Sequence, residues 1–321
     1  MKNTNILINR LLKYGLYFAL LIIIVFFAYI APSFITANNF IDMLHTLAPN
    51  LIMISGLTFV VLTGAIDFSV GSIAFLAASI GTYLMVVQKV PLIITLPVIV
   101  LSAMIAGFLN GIIVEVIKVN PLITTFGTML AYRGLGYMIG GAKYTPIPES
   151  LAQLHNVKIG FLYMDTAVAI LIVVILYLIQ YRTVFGRHLM AVGNDRENAK
   201  KLGVKTSSIS IRAFVISGFF AGFGSIFYMI QGGYMTPRMG QGLEFTGIAI
   251  VVIGGISLFG GEGSILGLLT GIFTFYIVEN GLQHIGVSPY IYPFLRGGII
   301  FLAMYADSLK TKFHSLRKIR T

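Results

Sequence analysis

The sequence predicts an all-α integral membrane protein of about ten transmembrane helices, with both termini in the cytoplasm. Three observations carry that prediction. First, 57% of the 321 residues are hydrophobic and only 10% are charged, whereas soluble domains carry about 25% charged residues. Second, the apolar runs are long enough for helices, about 20 residues per crossing, and do not show the short alternating segments of a barrel. Third, of the 22 Lys and Arg, sixteen fall on segments of one side and four (Lys89, Lys143, Lys158, Arg238) on the other, with Arg133 and Arg296 inside spans. This is the asymmetry of cytoplasmic against outer loops. It also removes the nucleic-acid reading of the +11 net charge.

In chain order the spans read as roughly 14–31, 47–64, 70–88, 91–117, 122–140, 163–182, 212–232, 245–259, 263–282 and 290–306. The first follows Lys2, Arg10 and Lys13 and has the look of a signal peptide. It is long enough to cross, and Tyr29-Ile30-Ala31 lacks a small-x-small cleavage pattern, so it reads as a helix. The fourth is long for one crossing. The eighth is short, ends in a Gly-rich break and is not expected to cross fully. Residues 141–162, with Pro146 and Pro148, and residues 233–244 face outward. Residues 183–211 form the one sizeable polar cytoplasmic loop, and 307–321 form a basic cytoplasmic tail, within a single transmembrane domain over 1–321.

Composition excludes several chemistries. There is no cysteine, hence no disulfide or thiolate site. Trp is absent too, so Tyr must supply any interfacial belt. His45, His155, His188, His284 and His314 show no i, i+4 pair, so no metal site is expected. No cofactor and no catalytic residue are expected either, since no cluster of acids, His and Ser recurs at helical spacing. A phosphate loop starting at Gly255 fails at Gly261, where Lys is required, and a dinucleotide fingerprint from Gly261 fails at Leu266.

The conspicuous polar insertion is "GAIDFSVGSI", 64–73, in otherwise apolar sequence. Asp67 or Ser69 can cap the helix that follows. Alternatively, Asp67, Ser69, Gly71 and Ser72 line a translocation path or gate, or Asp67 couples to protons. A second break, "GGISLFGGEGSILG", holds Gly254, Gly255, Gly260, Gly261 and Gly263, which suit helix breaks and close packing. Gly71-Ser72-Ile73 is echoed at 263–265, Asn110-Gly111 at 280–281 and Arg133-Gly134 at 296–297, without a single register that would establish a repeat. Asn110 and Asn280 are polar groups inside spans, path liners or interhelical hydrogen-bond partners. Arg133 and Arg296 are expected to snorkel or pack. "NDRENAKKLGV" reads as a short helix capped by Asn194 or Asp195 and ended by Gly203, after which Ser207 or Ser208 caps the next span. That helix is either a docking knob or a solvated linker.

"GAIDFSVGSI", "GLEFTGIAIVVIGGISLFGGEGSILGLLTGI" and "VGNDRENAKKLGV" occur in the order found in the ribose/arabinose/galactose-type permeases of ABC importers, and the sequence resembles that family over about 15–306. Ala65 and Phe68 replace a Gly and a Leu of the first motif, and the usual alanine pair of the cytoplasmic segment is reduced to Ala199. The resemblance implies a multi-pass permease with broken helices in the bacterial cytoplasmic (inner) membrane. It implies three partners: a separate ABC ATPase subunit, an extracytoplasmic sugar-binding protein and a second permease copy or homologue. Gly193, Asn194, Asp195, Ala199 and Gly203 would then contact the ATPase. The substrate implied is a monosaccharide, or a furanose-like signalling molecule within the same family. A proton-coupled secondary transporter is the reading from another class.

Overall fold

The computed structural model describes residues 20–294, 297, 298 and 301. Arg296, the basic tail 307–321 and the charged N-terminus lie outside the described residues, as do the first part of the first expected span and about half of the tenth. The chain is built of helices: α1 Leu20–Ile30, α2 Ala37–Leu62, α3 Val70–Thr82 with a π-turn Tyr83–Val87, α4 Leu92–Glu115 and α5 Pro121–Gly140. After these come α6 Glu149–Ala152, α7 Met164–Arg182, α8 Val184–Asn194, α9 Arg196–Lys201, α10 Thr206–Gly232, α11 Leu243–Ile253 and α12 Ile265–His284. Among the described residues six are long and apolar enough to cross a membrane: α2, α3 with its π-turn, α4, α7, α10 and α12. Within the described residues α1 covers 20–30; α11 is a short apolar helix of 11 residues, as the short eighth span led one to expect.

The centre of the bundle is α10 packed between α2 and α4. Segments related by glycine make that contact close. Gly107 and Gly111 of α4 face Phe214 and Ile211, while Gly218 and Gly222 of α10 face Ala103. A Cβ at Gly107 would overlap the Phe214 carbonyl, and one at Gly218 the Ala103 carbonyl. Both pairs have the small-xxx-small spacing that lets backbones approach where no hydrophobic force drives helices together. Gly56 of α2 rests on Ser217 and Phe220 in the same way.

Several expected boundaries shift, for one reason: hydropathy treats polar helical turns as loops. α2 begins ten residues before the expected start because the Thr36 hydroxyl accepts the Asn39 N–H at 3.3 Å. That cap carries Asn38, Asn39, Asp42 and His45 into the helix. α10 begins at Thr206, so Ser207 and Ser208 lie inside it and do not cap it. The segment 183–211 is helical and partly packed against the bundle. Thr183 Oγ1 accepts from Gly186 N at 3.1 Å to start α8, and Leu189, Val192 and Ala199 are buried.

Four two-residue strands form two antiparallel ribbons. β2 Lys158–Ile159 pairs with β3 Leu162–Tyr163, and β1 Thr145–Pro146 with β4 Tyr234–Met235. The second ribbon joins the two segments read as outward. Beyond β4, however, the chain folds inward: the Gly240 backbone (φ +64°) rests on Gly71 in the first turn of α3. Irregular backbone of this kind is tolerated inside a membrane protein where protein or a water-filled cavity surrounds it.

Replacing Gly107 or Gly218 with Leu is expected to lower stability in detergent by about 1–3 kcal/mol, the usual range for overpacking. Gly134→Leu, on an open face of α5 with nothing within 4 Å of its Cβ position, should leave the melting temperature unchanged. Equal melting of all three variants would refute the close-packing account.

Candidate functional site

Three segments that break helices meet at one place. They are 63–69 between α2 and α3, the end of α8 with Gly193-Asn194, and 254–264 between α11 and α12. Gly261 N–H donates to the Leu62 carbonyl at 3.0 Å. A Cβ at Gly193 would overlap Leu62 O and Gly261 N, one at Gly261 would overlap the Asn194 backbone, and one at Gly260 would overlap Gly64. Gly64, Gly260 and Gly261 also hold φ values of +81°, +85° and +74°, a region that disfavours a side chain. Gly255 and Gly263 share positive φ, and Gly254 packs on the Gly267 carbonyl. Glycine is therefore required here twice over, by conformation and by contact. Gln180, buried at the end of α7, holds the second break: its amide donates to Gly263 O at 3.0 Å and accepts from Ile265 N at 2.9 Å.

Asp67 lies at this break, fully buried. It does not cap α3 in the expected sense. Its Oδ1 accepts from the Ser69 N–H (2.8 Å) and the Ser69 hydroxyl (2.5 Å), and its Oδ2 from the Ser217 hydroxyl of α10 (3.0 Å). Ser69 occupies the N-cap position of α3 but makes no side-chain cap. Its hydroxyl instead accepts from the Asn110 amide of α4 at 2.7 Å, and the Tyr132 hydroxyl of α5 lies 3.2 Å from Asn110 Oδ1. Asn110 is thus an interhelical partner. Asp67 ties the loop to α10 directly and to α4 and α5 through Ser69, and no Lys, Arg or His pairs with it among the described residues. Thr125 secures the same loop by donating to Ile66 O at 3.0 Å.

α9 is shaped as the sequence suggested, with Asp195 rather than Asn194 as its cap. Asp195 accepts from Asn198 N at 2.9 Å, and Gly203 closes the helix at φ +84°. Ala199 packs inward, while Leu202 is 84% exposed beside Lys200 and Lys201.

At the opposite end lies a cavity of about 810 Å³. The first turns of α2, the last turns of α10 and α12, and the inward-folded segment 234–246 form its walls. Asn39, Asn50, Gln231, Gln241, Asn280 and Gln283 line it together with Tyr228, Tyr234 and Tyr276. Asn39 and Asn280 exchange hydrogen bonds at 2.9 and 3.0 Å, and the Asn50 amide donates to the Tyr276 hydroxyl. Beside the cavity, His45 Nδ1 lies 2.8 Å from Asp165 Oδ2, which also accepts from Gln231 at 2.6 Å, and His45 Nε2 lies 3.3 Å from His155 Nδ1. Two histidines 110 positions apart meet here, a contact that sequence spacing does not reveal.

The expected path residues therefore separate. Asn280 lines the cavity. Asp67, Ser69 and Asn110 form a buried network that lines none of the cavities described here. Gly71 and Ser72 sit in the first turn of α3, Gly71 under Gly240, and the Ser72 hydroxyl finds no hydrogen-bond partner among the described residues. Arg133 packs, as expected: it donates to Met239 O at 2.6 Å and lies 4.7 Å over the Phe75 ring.

The sequence profile described as "branched-chain amino acid transport system / permease component" matches residues 39–304. The chain is 30% identical to a galactose/methyl galactoside import permease protein of Haemophilus influenzae, covering 92% of this chain and 94% of that one. It is 32% identical to a ribose import permease protein of Escherichia coli (91% and 92% covered) and 35% identical to an autoinducer 2 import system permease protein of Photorhabdus luminescens (80% and 78%). No solved structure matches.

Asp67→Ala would leave the Ser69 and Ser217 hydroxyls without their shared acceptor, and a loss of about 1–3 kcal/mol is expected, the cost of leaving a buried polar group unsatisfied. Asp67→Asn, which keeps the shape and one acceptor oxygen, should restore most of the folded yield and of transport. Abolished transport in a well-folded Asp67→Asn would show that the carboxylate works as an ionisable group and not as an anchor.

Proposed function

The chain belongs to the ABC-importer permease family that includes the ribose and galactose import permeases, and from that premise we propose that it is the path-forming subunit for a monosaccharide. The observation that carries the sugar is the lining of the outer cavity. Six amides and three tyrosines donate to and accept from hydroxyl groups, and tyrosine rings offer apolar faces to a sugar ring. Met43 and Leu243 are the cavity's aliphatic side chains, and Asp42, Arg238 and Glu279 add charged groups to the wall. The named substrates of the galactose and ribose relatives support the same choice. A furanose-like signalling molecule is the second reading, favoured by the 35% identity to the autoinducer 2 permease.

In this reading the chain makes ten crossings with both termini inside. The 16-to-4 distribution of basic residues supports that sidedness. So do the β1–β4 ribbon between outward segments and the convergence of three inward ones. A separate ABC ATPase docks on the segment 183–211, with Leu202, Lys200 and Lys201 of the α9 end as its exposed contact. An extracytoplasmic binding protein delivers the sugar to the cavity, and a second permease copy or homologue completes the path. Glycine conformation at 254–263 keeps the inner junction thin, and Asp67 anchors it.

The test is reconstitution in proteoliposomes with a candidate ABC ATPase and a sugar-binding protein. ATP-dependent uptake of a pentose or hexose, with none of leucine, is expected. Uptake that follows a proton gradient without ATPase would refute the proposal. Leu202→Asp should reduce ATPase retention on purification by roughly tenfold, as loss of a central apolar contact does at other interfaces, and Asn280→Leu should lower uptake while retention stays at the wild-type level.

A further inference from the structure

Glu115 and Arg196 each sit where local preference argues against them. Glu115 is the last residue of α4, at the end of a helix that disfavours negative charge, and Arg196 opens α9, where acids are preferred. Neither placement is explained within its own helix. Together they form an ion pair, with the Arg196 guanidinium donating to Glu115 Oε2. The Glu115 side chain is 3% exposed. Arg196 also reaches the Ser210 hydroxyl in the first turns of α10 at 3.3 Å, and Lys118 lies 3.6 Å from the same Glu115 oxygen. A buried carboxylate is costly unless paired and hydrogen-bonded, so this arrangement fixes α9 against the inner ends of two helices at once.

Those two helices behave as one body, because the Gly107/Gly111 and Gly218/Gly222 faces bring their backbones together. The far end of α10 carries Tyr228 and Gln231, which line the outer cavity. A crevice of about 270 Å³ beside the pair, bounded by Thr63–Ala65 and by Asn120-Pro121, leaves room for the clamp to shift against the first motif. The other contact of this segment, Gly193-Asn194 against Leu62 and Gly261, leads to α2 and the α11–α12 break instead.

We propose that the Glu115–Arg196 ion pair is the coupling clamp that transmits displacement of the ATPase-docked helix α9 to the α4–α10 unit, and through it to the wall of the outer cavity. Both residues are positioning residues. They touch neither nucleotide nor sugar. The proposal rests on the importer reading above, because it requires that an ATPase move α9.

The test compares wild type, Glu115→Gln, Arg196→Gln and the reversed pair Glu115→Lys with Arg196→Glu, each reconstituted with ATPase and binding protein. Three quantities are read: sugar imported per ATP hydrolysed, ATPase retained on purification, and melting temperature. Glu115→Gln should retain the ATPase and still support hydrolysis, with import per ATP lowered roughly tenfold, within the usual range of allosteric coupling. Arg196→Gln should lower the same ratio, and the reversed pair should recover most of it. Unchanged import per ATP in both single variants overturns the clamp. So does a loss confined to folded yield with the ratio intact, which marks a purely structural pair, or a folded reversed pair that recovers nothing. Should Glu115→Gln fail to accumulate, the reversed pair decides. Wild type lacking ATP-dependent uptake would instead overturn the importer reading, a separate failure.

Discussion

Backbone that leaves the helix inside a membrane protein must find its hydrogen bonds within the chain, and the whole arrangement follows from how this is met. The chain leaves the helix at 63–69, 233–242 and 254–264. Asp67 and Thr125 hold the first segment, by the Ser69 N–H and the Ile66 carbonyl. Arg133 takes the Met239 carbonyl of the second. Gln180 takes both a carbonyl and an N–H of the third, and the Gly261 N–H is given to Leu62. Where these segments are shielded from water by the packed bundle, each unsatisfied group costs several kcal/mol. Asp67, Thr125, Arg133 and Gln180 are accordingly the supports of the irregular segments.

The breaks place function at both ends of the same helices. α2 runs from the polar cavity at Asn39 and Asn50 to the glycine junction at Leu62. α10 runs from Ser210, beside the Arg196 contact, to Gln231 in the cavity wall. Displacement at the glycine junction therefore has a short and stiff route to the cavity. Close-packed interiors transmit strain and do not absorb it, and here backbone-to-backbone contact replaces long side chains along much of that route. The arrangement suits the proposed role of a subunit with no phosphate-binding loop in its sequence, driven by work done on one of its ends.

Much of this was legible in the sequence. Apolar runs marked the helices, because spanning hydrocarbon demands about 20 apolar residues. The 64–73 and 254–267 insertions marked the breaks, because an acid or a run of glycines has no place in a lipid-facing helix. "NDRENAKKLGV" marked α9 through its cap and its terminal glycine. Less legible were the polar ends of α2 and α10 and the whole of α8, whose polarity reads as loop although Thr36 and Thr183 start helices there. The small-xxx-small pairs of α4 and α10 were visible as spacing, but their mutual contact was not.

The sequence by itself determined the class, the uneven distribution of its charge, the family motifs and the two Gly-containing breaks. These depend on single residues or on local periodicity. Tertiary structure decided the partners: Asp67 with Ser217 rather than with the α3 terminus, His45 with His155, Glu115 with Arg196, and Gly261 with Leu62. It also separated Asn280, in the cavity, from Asn110, in a buried network, although both stand before a glycine inside an apolar helix. The reason is physical. A buried polar group is satisfied by whichever partner the packing brings within hydrogen-bond reach, and in this bundle that partner stands from 1 to 241 positions away.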